Sequence, residues 1–356
     1  MGELRLMKGN EAVAEAAIRA GCDAYFGYPI TPQSEILEYL MTEHPEKRTG
    51  MVVLQAESEI AAISMAFGAA GAGKKIMTSS SSPGISLKLE GISYMAGADL
   101  PCLIVNVARG GPGLGTIQPS QSDYFQATKG GGHGDYRMFV LAPASVQEMC
   151  DHVKIGFDMA FKYRTPVMIL ADGVIGQMME KVDFFDQLPR QTESPSWAAT
   201  GRTPDRQRNF ITSLYIDPYD NERQNIERQK KYAKMQEDVM YETFQCEDAE
   251  YLLVAYGCSA RVSQKVIEYA RNRGIKLGLL RPITLYPFPS KAIAALGPQL
   301  KGILSVEMSA GQMVEDVLLA TRNTPQVQVE HWGRYGGVVH VPEEVFEGFL
   351  QKFNLA

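Results

Sequence analysis

Short apolar runs alternate with helical patterns along the first half of the chain. The strand-like runs are Asp23–Tyr28, Met51–Gln55, Lys75–Thr78, Cys102–Val107, Met138–Leu141 and Pro166–Ala171. Amphipathic or small-residue stretches fill the intervals between them, and glycine closes several of these, as at Gly21 and Gly73. Apolar strands separated by helices are typical of a parallel sheet that is covered on both faces, so the pattern predicts an α/β fold.

This alternation stops near residue 181 and resumes near residue 250. The intervening stretch carries several prolines and the polar run Asn221–Gln236, which predicts a crossing segment with one solvated or partner-facing helix. The second alternating unit has strands at 251–257, 275–280 and 302–306, helices from residue 259 and after residue 312, and a predicted loop over 281–289. We therefore divide the chain into 1–190, a linker or crossing segment over 191–249, and 250–356.

Composition narrows the class of protein. The 356 residues are 45% hydrophobic and 21% charged, which is ordinary for a globular protein that holds two domains. A formal net charge of −6 gives no electrostatic reason to expect nucleic acid or an anionic membrane as a partner. No apolar run approaches the ~20 residues of a membrane span, and the N-terminus lacks a signal-peptide core. We expect a cytoplasmic protein.

The five cysteines are scattered, with no C-x-x-C or other metal-binding spacing. Neither an iron–sulfur cluster nor a zinc site can be built from such a distribution, so no metal site is expected in this chain. Cys22, Cys102 and Cys258 lie in or beside strand-like runs, and we expect them to be buried thiols.

The segment from Gly27 to Glu35 reads GYPITPQSE, at the point where a strand gives way to a helix. Thr31 can cap that helix, with Pro32 in its first position, where the missing N–H of proline has no consequence. Backbone N–H groups and a hydroxyl then meet at the carboxyl end of a strand, where α/β proteins bind carboxylates and phosphates. The Thr-Pro pair alone would indicate only an ordinary turn.

The five residues Tyr28–Pro32 resemble the signature of the 2-oxoacid:ferredoxin oxidoreductases, thiamine-diphosphate enzymes that decarboxylate 2-oxoacids onto coenzyme A. The resemblance covers nearly the whole chain and is closest to the alpha-type subunit of the 3-methyl-2-oxobutanoate (2-oxoisovalerate) branch, with the 2-oxoglutarate branch next. It implies a pyrimidine-binding domain to about residue 190. From about residue 250 it implies a transketolase C-terminal-like domain, including the turn from Glu307 to Gln312.

The same resemblance implies a catalytic carboxyl group at the aminopyrimidine ring of the cofactor. In related domains this glutamate begins a helix of small residues, and Glu59 followed by Ile-Ala-Ala-Ile-Ser-Met-Ala-Phe-Gly68 fits that pattern. Its role is to protonate the ring and so promote the imino form that activates the cofactor. Glu57 is the other candidate for the catalytic carboxyl group. Its alternative role is only to stabilise the N-terminus of the helix by its negative charge.

A second group of residues is implied to hold the substrate. Arg109 follows a strand, and its planar fork suits the carboxylate of a 2-oxoacid, with Thr31 assisting both in binding and in catalysis and with Tyr28 and Pro29 beside it. The glycine-rich stretch after Arg109 is not a dinucleotide-binding loop, because Gln118 stands where its last glycine would be. An arginine that bonds only loop carbonyls is the structural alternative.

Two further residues, Ile30 and Ser82, are implied to contact the cofactor. Ser82 belongs to the serine run that follows Thr78 at another strand end. From the residues alone, this run is as much a capped turn as an anion-binding helix entrance.

The chain lacks the Gly-Asp-Gly motif that normally holds Mg²⁺ and the diphosphate of thiamine diphosphate. We therefore expect it to bind only the aminopyrimidine end of the cofactor, with Mg²⁺, diphosphate and iron–sulfur clusters on partner subunits. A further gamma-type subunit or domain, ferredoxin, CoA and a 2-oxoacid complete the expected partners, in a dimer of hetero-oligomers. Two other classes stay open: the beta-like subunit of a lipoamide-linked 2-oxoacid dehydrogenase, and a non-catalytic assembly subunit.

Overall fold

The computed structural model describes residues 3–202 and 204–355. Its strands are β1 (Glu3–Lys8), β2 (Ala24–Gly27), β3 (Val52–Gln55), β4 (Ile76–Ser80), β5 (Cys102–Ala108), β6 (Phe139–Leu141), β7 (Pro166–Asp172), β8 (Met179–Phe184), β9 (Tyr241–Phe244), β10 (Tyr251–Val254), β11 (Leu277–Pro282), β12 (Thr284–Tyr286), β13 (Gly302–Glu307) and β14 (Gln328–Gly333). Its α-helices are α1 (Gly9–Arg19), α2 (Ser34–Glu43), α3 (Pro45–Arg48), α4 (Glu59–Gly71), α5 (Ser82–Gly97), α6 (Tyr124–Thr128), α7 (Val146–Tyr163), α8 (Gly173–Gln177), α9 (Pro218–Lys234), α10 (Gly257–Asn272), α11 (Ser290–Leu296), α12 (Met313–Thr321) and α13 (Pro342–Lys352).

The larger sheet has seven strands in the order β12-β6-β7-β5-β4-β2-β3. All of its neighbouring strands are parallel except β12, which pairs antiparallel with β6. Every residue of β4, β5 and β7 is buried, as expected for a sheet covered by helices on both faces. The α/β class predicted from the sequence is confirmed, and the carboxyl ends of β2, β4 and β5 meet at one edge.

The second sheet has the order β14-β13-β10-β11-β9, with β9 antiparallel at its edge. The helices α10 and α13 cover one face with a cluster of apolar side chains around Leu253, Phe346 and Phe349. Strand β9 lies within the range assigned to the linker, yet it extends this sheet. The three ranges therefore stay a prediction of domain organisation.

One predicted loop is wrong. The stretch 281–289 contains the end of β11 and all of β12, and Thr284 and Tyr286 pair with Leu141 and Val140 of β6. Threonine and tyrosine favour extended backbone, and an edge position tolerates the prolines that flank this short strand. The segment thus attaches the second half of the chain to the first sheet. The sequence analysis also missed β1 and most of β8, which form a separate antiparallel pair.

The predicted helix cap at Thr31 is also wrong. Helix α2 begins at Ser34, and Gln33, the residue before it, makes no capping hydrogen bond with its side chain. The backbone N–H of Gln33 instead donates to Ile30 O (3.0 Å), so a turn separates the strand from the helix. Thr31 lies in that turn and is exposed. Its side chain is therefore free to face a ligand or a partner.

Helix α9 is the polar helix predicted between the two alternating units. Asp217 caps it by accepting a hydrogen bond from Tyr219 N (2.9 Å). Most of its residues are exposed, but Arg228 and Tyr232 are buried against the body of the protein. Lys231 forms an ion pair with Asp99 (2.5 Å) just beyond α5. The helix is thus solvated on one face and anchored on the other.

Across 3–202 and 204–355, no helix is both long enough and apolar enough to cross a bilayer.

Candidate active site

Three loops that follow neighbouring strands form one surface at the edge of the larger sheet. Tyr28–Thr31 follow β2, Ser81 follows β4, and Arg109 follows β5. Arg109 Nη1 donates a hydrogen bond to Thr31 O (2.9 Å), so the structure brings together the two residues predicted to bind the substrate. The carboxyl edge of a parallel sheet is where such proteins bind ligands.

Arg109 is buried and makes only part of its possible contacts. Besides the bond to Thr31, its Nη2 donates to Leu114 O (3.2 Å), while Nε is buried without a hydrogen-bond partner among the described residues. Both acceptors are loop carbonyls, as expected if the role of Arg109 is only structural. A guanidinium carries five N–H donors, however, so two bonds leave three donors for another acceptor.

The Arg109 side chain lines a cavity of about 760 Å³. The lining comes from the start of α5, the loop after β5, the turn before α12 and the tip of the loop after β14, namely Ser82, Pro83, Ser86, Arg109, Gly111, Pro112, Gly113, Leu114, Ser122, Asp123, Met308, Ser309, Ala310, Gln312, Tyr335 and Gly336. Arg109 and Asp123 are the charged residues of this lining. Asp123 is deeply buried and accepts a hydrogen bond from Asn106 Nδ2 (2.8 Å). Burial raises the pKa of the Asp123 carboxyl.

Glu59 begins helix α4, directly after Ser58, whose hydroxyl caps the helix by accepting from Ala61 N (3.1 Å). The Glu59 side chain is buried, with 7% of the residue exposed, whereas Glu57 is exposed. A Cβ atom added to Gly84 would lie 2.8 Å from Glu59 Oε1, so the carboxylate lies against a part of α5 that must lack a side chain. The structure thus separates the two candidate carboxyl groups by their burial.

The hydroxyl of Ser82 is bonded to the main chain of Arg109. It accepts from Arg109 N (3.0 Å) and donates to Arg109 O (3.3 Å), while Ser82 N donates to Asn106 Oδ1 (3.1 Å). The residue therefore ties the start of α5 to the end of β5. In contrast, the hydroxyls of Ser80 and Ser81 are buried and make no hydrogen bond with the described part of the chain. A cofactor contact of Ser82 stays a prediction.

The signature segment, Tyr28–Thr31, is partly exposed on one side. Pro29 and Thr31 are exposed, while Tyr28 and Ile30 are half-buried. From behind, Gln33 Nε2 donates to Tyr28 O (3.1 Å) and so holds the segment against the sheet. No residue of 3–202 or 204–355 covers the exposed pair, which leaves the predicted contacts of this segment available to a ligand or a partner.

Comparison with known proteins places this arrangement in a family. Residues 15–246 match the family model described as pyruvate flavodoxin/ferredoxin oxidoreductase, thiamine-diphosphate-binding, and residues 249–345 match core domain II of pyruvate:ferredoxin oxidoreductase. The chain belongs to the 2-oxoacid:ferredoxin oxidoreductase family. The resemblance inferred from the Tyr28–Pro32 segment is therefore confirmed.

Two curated relatives come from different branches of the family. The ketoisovalerate oxidoreductase subunit VorB of Methanothermobacter marburgensis is 52% identical, over 89% of this chain and 90% of its own length. The 2-oxoglutarate synthase subunit KorA of Methanocaldococcus jannaschii is 33% identical, over 98% of this chain and 100% of its own length. The chain is thus similar to subunits of enzymes with different 2-oxoacid substrates.

Solved structures agree with the fold. The 2-oxoglutarate:ferredoxin oxidoreductase of Magnetococcus marinus, whose structure holds 2-oxoglutarate, coenzyme A and succinyl-CoA, superposes with a TM-score of 0.85 at 27% identity. The match covers 99% of this chain but only 65% of that one. A split-gene transketolase matches with a TM-score of 0.58 at 14% identity, covering 96% of this chain and 93% of its own, which supports the shared transketolase-like architecture alone.

The residues around Glu59 fit the aminopyrimidine end of thiamine diphosphate, the cofactor of this family. A buried carboxylate, a glycine without room for a side chain and the unpartnered hydroxyl of Ser80 lie together, and a Cβ atom at Gly84 would collide with that hydroxyl. A flat ring that carries hydrogen-bonding nitrogens suits such a surface. Within the described ranges, no group of three histidine, cysteine, aspartate or glutamate residues is placed to hold a metal ion.

Sequence reasoning missed the buried polar residues beneath this surface. Lys88, Thr78 and Ser79 are fully buried, and hydrogen bonds connect them to Tyr25 and Gln33. Lys88 lies in the run Ser-Leu-Lys-Leu-Glu, and a lysine in such a run is ordinarily exposed. No feature of the sequence marks this lysine as buried.

Proposed function

We propose that this chain is the cofactor-activating subunit of a thiamine-diphosphate-dependent oxidoreductase that acts on 3-methyl-2-oxobutanoate. The reaction converts the 2-oxoacid, CoA and two oxidised one-electron ferredoxins into acyl-CoA, CO₂, a proton and two reduced ferredoxins. Thiamine diphosphate, when bound, supplies the nucleophilic carbon and the electron sink for loss of CO₂. The observation that carries the proposal is that α5 connects the two parts of the site: the buried Glu59 packs against its Gly84, and Arg109, which is bonded to Thr31 O, is also bonded to its Ser82.

Each of these residues has one role in the proposal. Glu59 holds and transfers a proton at the aminopyrimidine ring, because its carboxylate is buried yet free of hydrogen bonds to the described residues. Arg109 pairs with the substrate carboxylate through the donors that Thr31 O and Leu114 O leave free. The proposal assigns Thr31 to the same carboxylate, because Arg109 holds its carbonyl and the residue is exposed where it lines a second cavity with Pro32 and Gln118. Tyr28 and Pro29 are assigned to the substrate beside Thr31, and Ile30 is assigned with Ser82 to the cofactor.

The charges of the cavity support a branched-chain substrate over 2-oxoglutarate. Arg109 is the single cation of the lining within the described ranges, and the proposal assigns it to the 2-oxoacid head. The distal carboxylate of 2-oxoglutarate would need a second cation, whereas Asp123 contributes a carboxyl group instead. Leu114, Met308 and Pro112 offer apolar surface for a branched aliphatic tail. The 52% identity to a ketoisovalerate oxidoreductase subunit supports the same substrate.

The exposed apolar face beside Glu59 supports a partner subunit. Ile60 and Met65 on α4 and Leu87 on α5 are 56%, 37% and 52% exposed, on helices that pack side by side. Exposed apolar side chains on two adjacent helices suit a protein interface. In our proposal the partner there carries the diphosphate site, Mg²⁺ and iron–sulfur clusters, with a gamma-type subunit completing the assembly.

The proposal also assigns residues 1–190 to the pyrimidine-binding domain and residues 250–356 to the transketolase-like domain.

The test is substrate-dependent dye reduction by the chain co-expressed with its partner subunits. With CoA and thiamine diphosphate, 3-methyl-2-oxobutanoate should reduce benzyl viologen with a kcat/KM at least about tenfold above that for 2-oxoglutarate or pyruvate. A preference for 2-oxoglutarate would contradict the substrate assignment. Reduction of lipoamide instead of viologen would identify the complex as a dehydrogenase of the other class.

A further inference from the structure

Lys88 is a fully buried lysine in the second turn of α5, with 0% of the residue exposed. Its Nζ donates to Thr78 Oγ1 (2.6 Å) and to Ser79 O (3.0 Å). Within the described residues, no carboxylate lies within ion-pairing distance of it. A buried ammonium without a paired carboxylate costs folding free energy, so its presence calls for a reason.

The ammonium lies close to the proposed catalytic carboxyl group. Lys88 is one helical turn beyond Gly84, on the same face of α5, and Gly84 is the residue against which Glu59 packs. Both side chains flank the carboxyl end of β4: Lys88 bonds Thr78 and Ser79, while Glu59 lies beside Ser80 and Gly84.

The electrostatics agree with this placement. Burial lowers the pKa of Lys88 to about 8, and the negative charge of Glu59 acts in the opposite direction. Most Lys88 side chains are therefore charged at neutral pH. Cys102, the other titratable group that acts on Lys88, stays a thiol because burial raises its pKa to about 12. Glu59 is thus the anionic neighbour of this ammonium.

A chain of hydrogen bonds continues from Lys88 to the signature segment. Ser79 Oγ donates to Gln33 Oε1 (2.5 Å) and receives a hydrogen bond from Tyr25 (2.6 Å). Gln33 in turn holds Tyr28 O (3.1 Å). Burial raises the pKa of Tyr25 well above its usual range, so its hydroxyl stays neutral and able to donate. Lys88 is the one charged member of this network.

We propose that Lys88 is a positioning residue that supplies a fixed positive charge behind Glu59 and holds the carboxyl end of β4 beneath the cofactor-binding surface. This inference rests on the proposed function, in which Glu59 faces the aminopyrimidine ring. Lys88 touches neither substrate nor cofactor. Its positive charge attracts the carboxylate of Glu59, and its bonds to Thr78 and Ser79 fix the strand end beside which that side chain lies.

The experiment compares four variants within the assembled complex. Lys88→Gln removes the charge but keeps N–H donors, and Lys88→Met removes both. Thr78→Val removes the acceptor at 2.6 Å, together with the hydrogen bond from Thr78 Oγ1 to Phe26 O (2.6 Å), and keeps the charge. Lys75→Met is the matched control, because Lys75 lies just before the other end of β4 and donates to Ala20 O (2.9 Å), away from Glu59. The readouts are kcat and KM against pH, and calorimetric titration of cofactor-free complex with thiamine diphosphate and Mg²⁺.

Both Lys88 variants should lower kcat by about 10- to 100-fold, leave the KM for the 2-oxoacid near the parent value, and move the pH optimum upward by about one unit. Their affinity for thiamine diphosphate should fall about tenfold, whereas Lys75→Met should match the parent. Thr78→Val should lose about 3- to 10-fold in kcat with the parental pH optimum. Parental kcat, pH profile and cofactor affinity in Lys88→Gln, with only a lower melting temperature, would overturn the proposal.

If neither Lys88 variant assembles, Thr78→Val tests the holding of the carboxyl end of β4, because it removes one of the two acceptors of the Lys88 ammonium, and a parental kcat there would refute that part of the inference. Failure of the proposed function gives a different result. A parent complex that oxidises no 2-oxoacid would contradict that function, while the calorimetric comparison would still test Lys88 through cofactor affinity.

Discussion

Replacement of Arg109 by methionine separates the two roles that the structure allows this residue. Methionine keeps an unbranched stem of similar length but carries no donor. The bonds to Thr31 O (2.9 Å) and Leu114 O (3.2 Å) would be lost whichever role is correct. If Arg109 also pairs with the substrate, a charged hydrogen bond worth about 1.5–3 kcal/mol is lost in addition. That range corresponds to a fall in kcat/KM of about 10- to 150-fold.

The assay is the initial rate of viologen reduction at saturating CoA and thiamine diphosphate, with the 2-oxoacid varied. Arg109→Met should raise KM or lower kcat/KM by that factor, while cofactor affinity stays near the parent value. Arg109→Lys should lose less, since it keeps the charge but not the planar fork. Arg261→Met is the control, because Arg261 also donates to a loop carbonyl, Ala144 O (3.1 Å), away from the cavity.

The contrary result is equally specific. If Arg109 only holds loop carbonyls, the Met variant should lose thermal stability and cofactor affinity, with an unchanged KM for the 2-oxoacid. That outcome would refute the assignment of Arg109 to the substrate carboxylate, and the cavity charge argument for a branched-chain substrate would fail with it.

Four other predictions follow from the structure. Glu59→Gln should assemble normally and lower kcat by roughly 10²–10⁴, while Glu57→Gln should be near the parent; equal kcat in both would favour a non-catalytic assembly subunit. Leu114→Arg should increase the use of 2-oxoglutarate relative to 3-methyl-2-oxobutanoate by about tenfold, and an unchanged ratio would mean that the cavity does not hold the substrate tail. Burial lowers the pKa of Lys88 to about 8, so above that pH the unfolded chain binds more protons than the folded chain. The free energy of unfolding of the parent should therefore increase between pH 7 and 11, by up to about 3 kcal/mol more than that of Lys88→Met. Urea unfolding curves with the same pH dependence for both proteins would contradict the burial of a charged lysine. Finally, the isolated chain should bind thiamine diphosphate and Mg²⁺ no more tightly than the millimolar range, about −4 kcal/mol, by calorimetry; micromolar binding would mean that the cofactor site is complete in this chain.

The elements that the sequence predicts well are those whose structure follows from their own local pattern of residues. The apolar run 102–107 becomes the buried strand β5, and the small-residue stretch after Glu59 becomes α4. Family resemblance then points to Glu59 and Arg109, and the burial of Glu59 agrees with its selection over Glu57. The strand and the helix depend on local pattern and can be predicted from it, whereas the two site residues depend on the resemblance.

The features that escaped prediction depend on distant parts of the chain. Strand β12 exists because β6 offers it an edge about 145 positions earlier in the sequence. The turn at Thr31 replaces a helix cap because Gln33 is buried and bonded to Ser79 of another strand. From the sequence, Lys88 is expected on the surface of α5. It is buried because the carboxyl ends of β4 and β2 lie beneath it. Tertiary partners override local preference in each case.

Buried polar side chains hold the exposed segment Tyr28–Thr31 in a defined position. Thr31 faces outward, yet its carbonyl is held by Arg109, and Tyr28 O is held by Gln33. Gln33 is fixed by Ser79, whose own carbonyl receives a hydrogen bond from Lys88. Apolar packing alone would leave such a segment free to slide, whereas directional bonds in a dry interior define one position. A charge buried at this point costs stability, and our proposal accounts for that cost by an ordered surface that is ready for the cofactor and the partner subunit.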